Sequence, residues 1–416
     1  MGLHRSTAVQ ALITGAVAVL VGYASSVAIV WQGLQAVGAS SSQAALALGA
    51  LSAGQGFLSF YLSYRQRIPL LFAWSTPGAA LLVASGAPDF SSAVAAFLFA
   101  AALGIGLALL KGLSWVMRVI PVTLASALLA GVLMRLTLDA LGQALQEALL
   151  WPVASLWLAY VLLRRLWPSA AIFCVLALVV GWSWWLHRDG LVVESQLVHQ
   201  ALALPAPKAE LTTQAFEWPL PRWEGSVILG LGLPLFLVTL TGQNMAGLAA
   251  IKSFGYTANP DRLLFAASLA SAIAAFFGGH ALNLAAITAA ICLGPQAGEQ
   301  PNERWKAAAW AGGLYLMLAC FALWVIEALA WLHPVLVLSL ASIALMSSIA
   351  SALQQAFGDQ TSGQGFPQTL CLLTVLSDVQ IGGFGSVFWG LCIGVFARVL
   401  QKQQAKLVQP SHKQED

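Results

Sequence analysis

Charged side chains are scarce in this sequence: Asp, Glu, Lys and Arg make up 8% of its 416 residues, whereas 59% are hydrophobic. A soluble domain carries about 25% charged residues, so a water-soluble globule of this length could not hide so much apolar surface. The 19 basic residues are nearly balanced by 16 acidic ones, which leaves no basic surface for phosphates and excludes a nucleic-acid-binding protein. The composition therefore predicts an all-α polytopic membrane protein.

Several chemical signatures are also missing. The five cysteines lie inside apolar stretches, without a Cys-x-x-Cys pair or histidines at ligand spacing, so we predict neither a disulfide framework nor a metal site. There is no Gly-x-x-x-x-Gly-Lys-Ser/Thr loop to hold ATP. The absence of His-Glu-x-x-His and of paired carboxylates on one helix leaves an intramembrane enzyme as a weak alternative. We expect no cofactor.

Stretches of about 17–25 apolar residues can cross the hydrocarbon core of a bilayer. The clear candidates are Ala8–Leu34, Ser42–Leu62, Ser91–Leu110, Pro121–Leu138, Ala148–Leu163, Pro168–Leu186, Ser226–Ala250, Leu263–Phe277, Trp305–Leu329, Pro334–Leu353, Phe366–Leu376 and Gly382–Val399. Two further apolar segments, Ile68–Ser85 and Gly278–Gly294, are short and broken by proline or glycine. The first run continues past Val30 with no small-residue cleavage site, so we interpret it as a span and not as a signal peptide.

The positions of Lys and Arg decide whether the two short segments cross, because cytoplasmic loops are enriched in these residues. If both cross, fifteen of the 19 basic residues lie on one side. The exceptions are Arg188, Lys208 and Arg222 in one long loop, and Arg135 within a span, where we expect it to pair with Asp139 one turn away. We therefore predict 14 transmembrane segments with both termini in the cytoplasm.

When a unit with an odd number of spans is repeated once, the second copy has the opposite orientation in the membrane. Weak sequence similarities between the two halves support such an inverted repeat. Pro121 and Pro334 each precede a valine, and Gly38 and Gly255 follow spans 1 and 8. The two broken segments take the third and tenth places. The predicted organisation is a first inverted repeat over 1–187 (segments 1–7), an external connector over 188–225, a second inverted repeat over 226–402 (segments 8–14) and a cytoplasmic tail over 403–416.

The two broken segments form the predicted substrate site, because non-helical backbone at membrane depth survives only inside protein or beside a cavity. Pro77 pushes Thr76 out of helical geometry, so we expect Phe72–Ser75 to be extended and a half-helix to begin near Pro77, capped by Thr76. Asn283 is expected to cap a second half-helix in segment ten. Two such N-termini would offer unpaired N–H groups to an anion. An ordinary kink and an interhelical hydrogen bond from Asn283 are the alternatives.

Other polar residues fit a cavity at this level. Ser26 lies in span 1, and Gln243 and Asn244 lie in span 8. Buried amides in lipid need partners, so they face protein or water, although helix–helix hydrogen bonding explains them equally well. His280 comes just before the second half-helix, and an unperturbed pKa of about 6.5 makes it a candidate proton carrier. A neutral histidine that holds the turn by hydrogen bonds is the alternative.

Three strings of this sequence resemble the BenE family of bacterial benzoate/proton symporters: Gly22–Val30, Thr76–Ala80 and Gly278–Cys292. Leu235–Thr239, followed by Gln243 and Asn244, is similar to the span 8 pattern of that family. The resemblance covers essentially the whole chain and implies the fold of uracil and sulfate permeases. It also implies a core domain (segments 1–4 and 8–11) and a gate domain (segments 5–7 and 12–14), with substrate between segments 3 and 10.

One departure bears on the cargo. Uracil-type permeases carry acidic residues in segments 8 and 10, where this chain has Gln243, Asn244 and Asn283. An anionic substrate tolerates that absence, because carboxylates would repel it. The departure leaves open which residue carries the proton.

The predicted function is a proton-coupled secondary transporter of the bacterial inner membrane that imports an aromatic carboxylate, benzoate by resemblance, by alternating access. The predicted substrate-binding residues are Ser26, Thr76, Gly78, Gln243, Asn244, Asn283 and Ala285, with Phe72 and Trp74 beside the ring and His280 as the proton-coupling candidate. The carboxylate is assigned to the backbone N–H groups of Gly78 and Ala285. The alternatives are a nucleobase or inorganic anion as cargo, and an intramembrane enzyme that uses His280. The expected partners are the carboxylate, the proton and the lipid bilayer, and the oligomeric state is open, with a homodimer among the expectations.

Overall fold

Helices dominate the computed structural model, which describes residues 7–85, 89–112, 122–167, 171–188, 218–358, 365–382 and 384–408. The first half contains α1 (Thr7–Ala36), α2 (Ser41–Gln66), α3 (Thr76–Ser85), α4 (Phe90–Leu109), α5 (Val122–Gln146), α6 (Leu150–Leu166) and α7 (Ala171–Arg188). The second half contains α8 (Gly225–Ser253), α9 (Pro260–Ala275), α10 (Ile287–Leu293), α11 (Trp305–Ala319), α12 (Ala322–Trp331), α13 (Pro334–Phe357), α14 (Phe366–Leu376) and α15 (Ser386–Val408). Two short strands, β1 (Phe72–Trp74) and β2 (Leu282–Leu284), precede α3 and α10. Pro121, most of the predicted connector and the end of the predicted tail lie outside the described residues.

Within the described residues, seven helices are long and apolar enough to cross a membrane: α1, α2, α4, α5, α7, α8 and α13. The pair α11 and α12 qualifies together as an eighth span but is bent by 70°, so the apolar stretch predicted over Trp305–Leu329 forms two helices instead of one. At the bend, the N–H groups of Cys320 and Phe321 bond to carbonyls three residues back, which tightens the last turn and ends α11. The protein is a multi-pass membrane protein, and the count of 14 and the inverted repeat stay predictions.

Helix α8 contains two wider π-helical turns, at Ile228–Gly232 and Leu240–Asn244. Pro234 has no N–H for the carbonyl four residues earlier, which accounts for the first turn. In the second, the side chains of Thr241 and Asn244 donate to backbone carbonyls of the same helix and compete with its regular ladder. Turns of this kind are frequent at functional sites, and the second one carries two of the predicted binding residues.

Glycine allows α2 and α11 to pack backbone against backbone. A Cβ atom on Gly312 would lie 2.4 Å from the N of Phe60 and 2.6 Å from the O of Gly56. Elsewhere α5 packs against α13, and α1 contacts both α11 and α13. Helix α1, which the resemblance assigns to the core, therefore also contacts a helix that the resemblance assigns to the gate. That assignment stays a prediction.

Gly38 and Gly255, the predicted echo between the halves, have the same backbone conformation. Their φ angles are 88° and 83°, a left-handed region that glycine enters at little cost. Each donates its N–H to a carbonyl three residues back, at 2.8 Å for Gly38 and 3.0 Å for Gly255. Both glycines thus end a long helix with the same turn.

Two arginines tie connectors to helices. Arg135 lies 3.6 Å from Asp139, and it also forms an ion pair with Asp378 in the connector between α14 and α15. Arg222, at the described end of the long connector, pairs with Asp89 just before α4. The predicted Arg135–Asp139 pair is therefore part of a larger cluster.

Candidate substrate site

The extended strands pair with each other across the two halves of the chain. Strands β1 and β2 are antiparallel, with Ala73 opposite Asn283. The ladder is lengthened by two further 2.9 Å bonds, from Ser75 N to Ala281 O and from Ala285 N to Leu71 O. The predicted extended stretch and half-helix are thus confirmed at both places. Helices α3 and α10 leave opposite ends of the ladder, because the strands run in opposite directions.

Polar side chains of α2 satisfy the outer edge of β1. Three of them, spaced four residues apart, accept bonds from alternate N–H groups of the extended chain: Ser63 from Leu70 (3.0 Å), Ser59 from Phe72 (2.9 Å) and Gln55 from Trp74 (2.9 Å). Four helical residues rise about 6 Å and two strand residues about 6.6 Å, so the two periods match. The sequence reasoning missed this set, although polar residues at every fourth position of an apolar helix are the signal that could have found it.

Ser75, and not Thr76, caps α3. The Oγ atom of Ser75 accepts from the N of Gly78 at 3.0 Å, which is the bond of an N-cap to the third helical residue. The predicted cap is therefore one residue too late, because Pro77 takes the second helical position instead of the first. The Gly78 N–H, which was assigned to the carboxylate, is occupied by this bond.

Asn283 does not cap α10. It is fully buried within β2, and α10 begins four residues later at Ile287. The pairing with β1 keeps the chain extended through Leu284, so a side chain at position 283 cannot reach the first helical turn. The Ala285 N–H is engaged as well, since it donates to Leu71 O. The two backbone donors that were predicted for the anion are thus both used within the fold.

Gln243 and Asn244 are adjacent in α8, but their side chains have different surroundings. The Oδ1 atom of Asn244 accepts from the N of Leu284 at 3.0 Å, so this side chain supports β2 as Gln55 supports β1. Gln243 is partly exposed and lines an internal cavity. The structure therefore separates a supporting amide from one that is free to meet a ligand.

The cavity lies between the strand–helix breaks and helices α1, α2, α8, α11 and α13, with a volume of about 100 Å³. Its lining consists of Val21, Gly22, Ser25, Ser26, Gln55, Ala73, Trp74, Thr76, Gln243, Ala285, Ala286, Thr288, Tyr315, Ala344, Leu345 and Ser348. It brings together four of the predicted binding residues: Ser26, Thr76, Gln243 and Ala285. Outside the lining lie Phe72 and the other predicted residues, Gly78, Asn244, Asn283 and His280.

The lining combines one aromatic wall with neutral polar groups. The indole of Trp74 is held by a 2.7 Å bond from Nε1 to Ser26 Oγ and by an edge contact with Tyr23, with ring centroids 4.9 Å apart. Ser26 donates its own proton to Gly22 O at 2.6 Å. None of the described residues that line the cavity is charged. Gln55 and Tyr315 are lining residues that the sequence reasoning missed.

His280 is buried behind the ladder and not at this cavity. Its Nε2 lies 2.8 Å from Ser75 O, and because a carbonyl only accepts, Nε2 carries a proton. The Nδ1 atom has no hydrogen-bond partner among the described residues. A separate cavity of about 20 Å³ adjoins His280, Asn244 and Ser268, and this is room for about one water molecule. The hydrogen bond to Ser75 O links His280 to the residue that caps α3, and α3 begins at the larger cavity.

A multi-pass helical protein with two broken, mutually paired spans beside an internal cavity has the features of a membrane transport protein. Comparison with known proteins agrees and is more specific. Residues 5–400 match the family described as benzoate membrane transport protein, BenE. The chain belongs to this family and is a membrane transport protein, not an enzyme.

Two relatives span nearly the whole chain. The chain is 34% identical over 384 residues to inner membrane protein YdcO of Escherichia coli, covering 92% of this chain and 93% of the relative. It is 32% identical over 397 residues to the benzoate membrane transport protein of Acinetobacter baylyi, covering 95% and 96%. Among solved structures, the transmembrane domain of the cyanobacterial bicarbonate transporter BicA matches with a TM-score of 0.53 at 17% identity, over 94% of this chain and 98% of that one. This last likeness concerns the fold.

Proposed function

We propose that this protein imports an aromatic carboxylate, benzoate, across the bacterial inner membrane together with a proton. The names of two relatives support the cargo and the location: one is a benzoate membrane transport protein and the other an inner membrane protein. The distribution of Lys and Arg supports cytoplasmic termini.

The observation that carries the proposal is the character of the cavity. An engineered apolar cavity of about 150 Å³ accommodates one benzene ring, and the cavity of about 100 Å³ in this protein is of the same order. The Trp74 indole offers an aromatic surface, and stacked or edge contacts between rings stabilise by about 0.5–1.5 kcal/mol. Because the described lining carries no carboxylate, no negatively charged side chain there repels an anion.

Alternating access is proposed to arise from movement of the core helices against the gate helices. The position of the cavity supports this, since Ala344, Leu345 and Ser348 come from α13 and the rest of the lining comes from α1, α2, α8, α11 and the two breaks. A ligand at this boundary would contact both groups and would sense their relative position.

The proton is proposed to travel on His280 or on the bound anion itself. His280 is linked through Ser75 to the cap of α3, so a charge on the imidazole would act on the helix that borders the cavity. We expect His280→Gln to retain benzoate binding and to lose gradient coupling. Unchanged coupling in this variant would assign the proton to the bound anion.

The test is uptake of labelled benzoate into proteoliposomes with and without an inward proton gradient. We expect accumulation that depends on the gradient and disappears when a protonophore is added. An absence of gradient-dependent uptake by folded protein would refute the proposed coupling.

A second candidate is the same carrier with an inorganic anion or a nucleobase as cargo. The structure with a similar fold is named a bicarbonate transporter, so bicarbonate is included among the ligands to be tested. Thermal-shift measurements with benzoate, bicarbonate, sulfate and uracil discriminate, because a ligand that binds the folded state raises its stability by mass action. We expect benzoate alone to stabilise the protein.

A further inference from the structure

Gln55 occupies an unusual position in this molecule. It lies in the middle of α2, its side chain is 1% exposed, and it lines the cavity described above. Its Oε1 accepts the 2.9 Å bond from Trp74 N. This bond determines which way the amide points, because exchanging O and N would place the NH₂ group against another N–H donor.

The Nε2 atom of Gln55 has no hydrogen-bond partner within the described part of the chain. A buried amide nitrogen without a partner is costly, and such groups in native proteins call for a ligand or another explanation. Two other donors beside the cavity are already used within the fold: Ser26 donates its proton to Gly22 O, and the Ala285 N–H donates to Leu71 O. Gln55 therefore lines the cavity, holds Trp74 through its Oε1 and keeps an NH₂ donor without a partner among the described residues.

We propose that the Nε2 group of Gln55 donates a hydrogen bond to the carboxylate of the substrate and selects acceptor-only head groups on a planar ring. This rests on the proposed function and specifies the residue that reads the carboxylate. A carboxylate only accepts hydrogen bonds, whereas a primary amide presents an NH₂ group of its own. The ring would then lie along the indole of Trp74. The backbone N–H of Trp74 is hydrogen-bonded to the side chain of Gln55, so the donor and the indole lie close together.

The first experiment compares Gln55→Glu with Gln43→Glu in the purified full-length protein. Glu at position 55 keeps an oxygen for the Trp74 N–H but replaces the donor by an acceptor that repels a carboxylate. Gln43→Glu is the matched control, because it makes the same chemical change on the same helix. Gln43 belongs to the capping box at the start of α2, where Glu is accepted as readily as Gln. We expect the dissociation constant for benzoate to rise at least tenfold in Gln55→Glu and to stay within twofold in Gln43→Glu.

A second measurement needs no variant and covers the case in which Gln55→Glu does not fold. Benzamide and benzoate are compared as ligands of the wild-type protein by calorimetry. We expect benzoate to bind at least tenfold more tightly, because benzamide places a second NH₂ group against Gln55 in one of its two orientations and lacks the charge that strengthens the bond.

The outcomes separate the two proposals. If wild-type protein binds benzoate but Gln55→Glu binds it within twofold of wild type, the role of Gln55 is refuted and the proposed function stands. Equal affinity for benzamide and benzoate refutes the role in the same way. If wild-type protein binds no benzoate, the proposed function fails, and this inference fails with it.

Discussion

Replacing Ser75 by alanine is the sharpest test of how the first break is built. The Oγ atom of Ser75 caps α3 through Gly78 N and also lies 2.9 Å from the hydroxyl of Thr239 in α8. Loss of an N-cap costs about 1 kcal/mol, and a polar contact between membrane helices is worth about 0.6 kcal/mol. We therefore expect Ser75→Ala to reduce the free energy of unfolding by roughly 1.5–2 kcal/mol, more than a factor of ten in the unfolding equilibrium.

Thr76→Ala is the matched control, because Thr76 is the cap that the sequence alone indicates. In the structure Thr76 lies one position inside α3 and borders the cavity, so we expect its loss to change stability by less than about 0.5 kcal/mol. The assay is reversible unfolding of both variants in mixed detergent micelles, followed by tryptophan fluorescence. Equal destabilisation, or a larger effect of Thr76→Ala, would show that the assignment of the cap to Ser75 is wrong.

Three further predictions concern packing, pH and the cavity. Gly312→Ala should destabilise the protein by about 1–3 kcal/mol, because the new Cβ would meet the backbone of α2. Gly313→Ala should be neutral, because the space around its Cβ is open. Equal melting temperatures of the two variants would contradict this prediction. Burial raises the pKa of Glu147, in the α5–α6 connector, to about 7. Its contribution to the free energy of unfolding is therefore full below pH 4.5 and is lost as pH rises through 7. Thermal melts from pH 4.5 to 8 should show this decline in the wild type and a smaller decline in Glu147→Gln. Gln243→Ala should weaken benzoate binding with little change in stability. Asn244→Ala removes the hydrogen bond to Leu284 N in β2 and should lower stability. Calorimetry and melting curves of both variants test this, and the opposite result would contradict it.

The broken segments show how far local sequence reasoning reaches. Pro77 predicts where helical geometry stops, because its ring and its missing N–H act on the residues next to it. The start of α3 was therefore expected within a residue or two of its observed position. The second break has no such proline, and Asn283, which the sequence predicts as a helix cap, lies in a strand. What makes that residue extended is β1, more than 200 positions away in the chain.

The candidate site was anticipated only in part, and for a related reason. The sequence predicts Ser26 and Gln243 at the cavity from their polarity within apolar spans and Thr76 from its position before Pro77, and all three line the cavity. Gln55 and Tyr315 were missed, since polarity alone does not tell which helix face a neighbour covers. Asn244 was grouped with Gln243 because the two are adjacent, but successive residues of a helix point about 100° apart, and only the fold shows which one supports β2.

The amino-acid sequence by itself determined the class of this protein, the approximate positions of its apolar spans and the existence of two irregular segments. These properties follow from transfer of side chains out of water and from backbone preferences of single residues, which act locally. Tertiary structure decided the β1–β2 register, the cap at Ser75, the bend after α11 and the polar groups left free at the cavity. The register depends on hydrogen-bond partners from a distant part of the chain, and the cap residue Ser75 also contacts Thr239 of α8. Such partners matter because in the hydrocarbon core of a membrane a backbone or side-chain donor has no water to bond to instead.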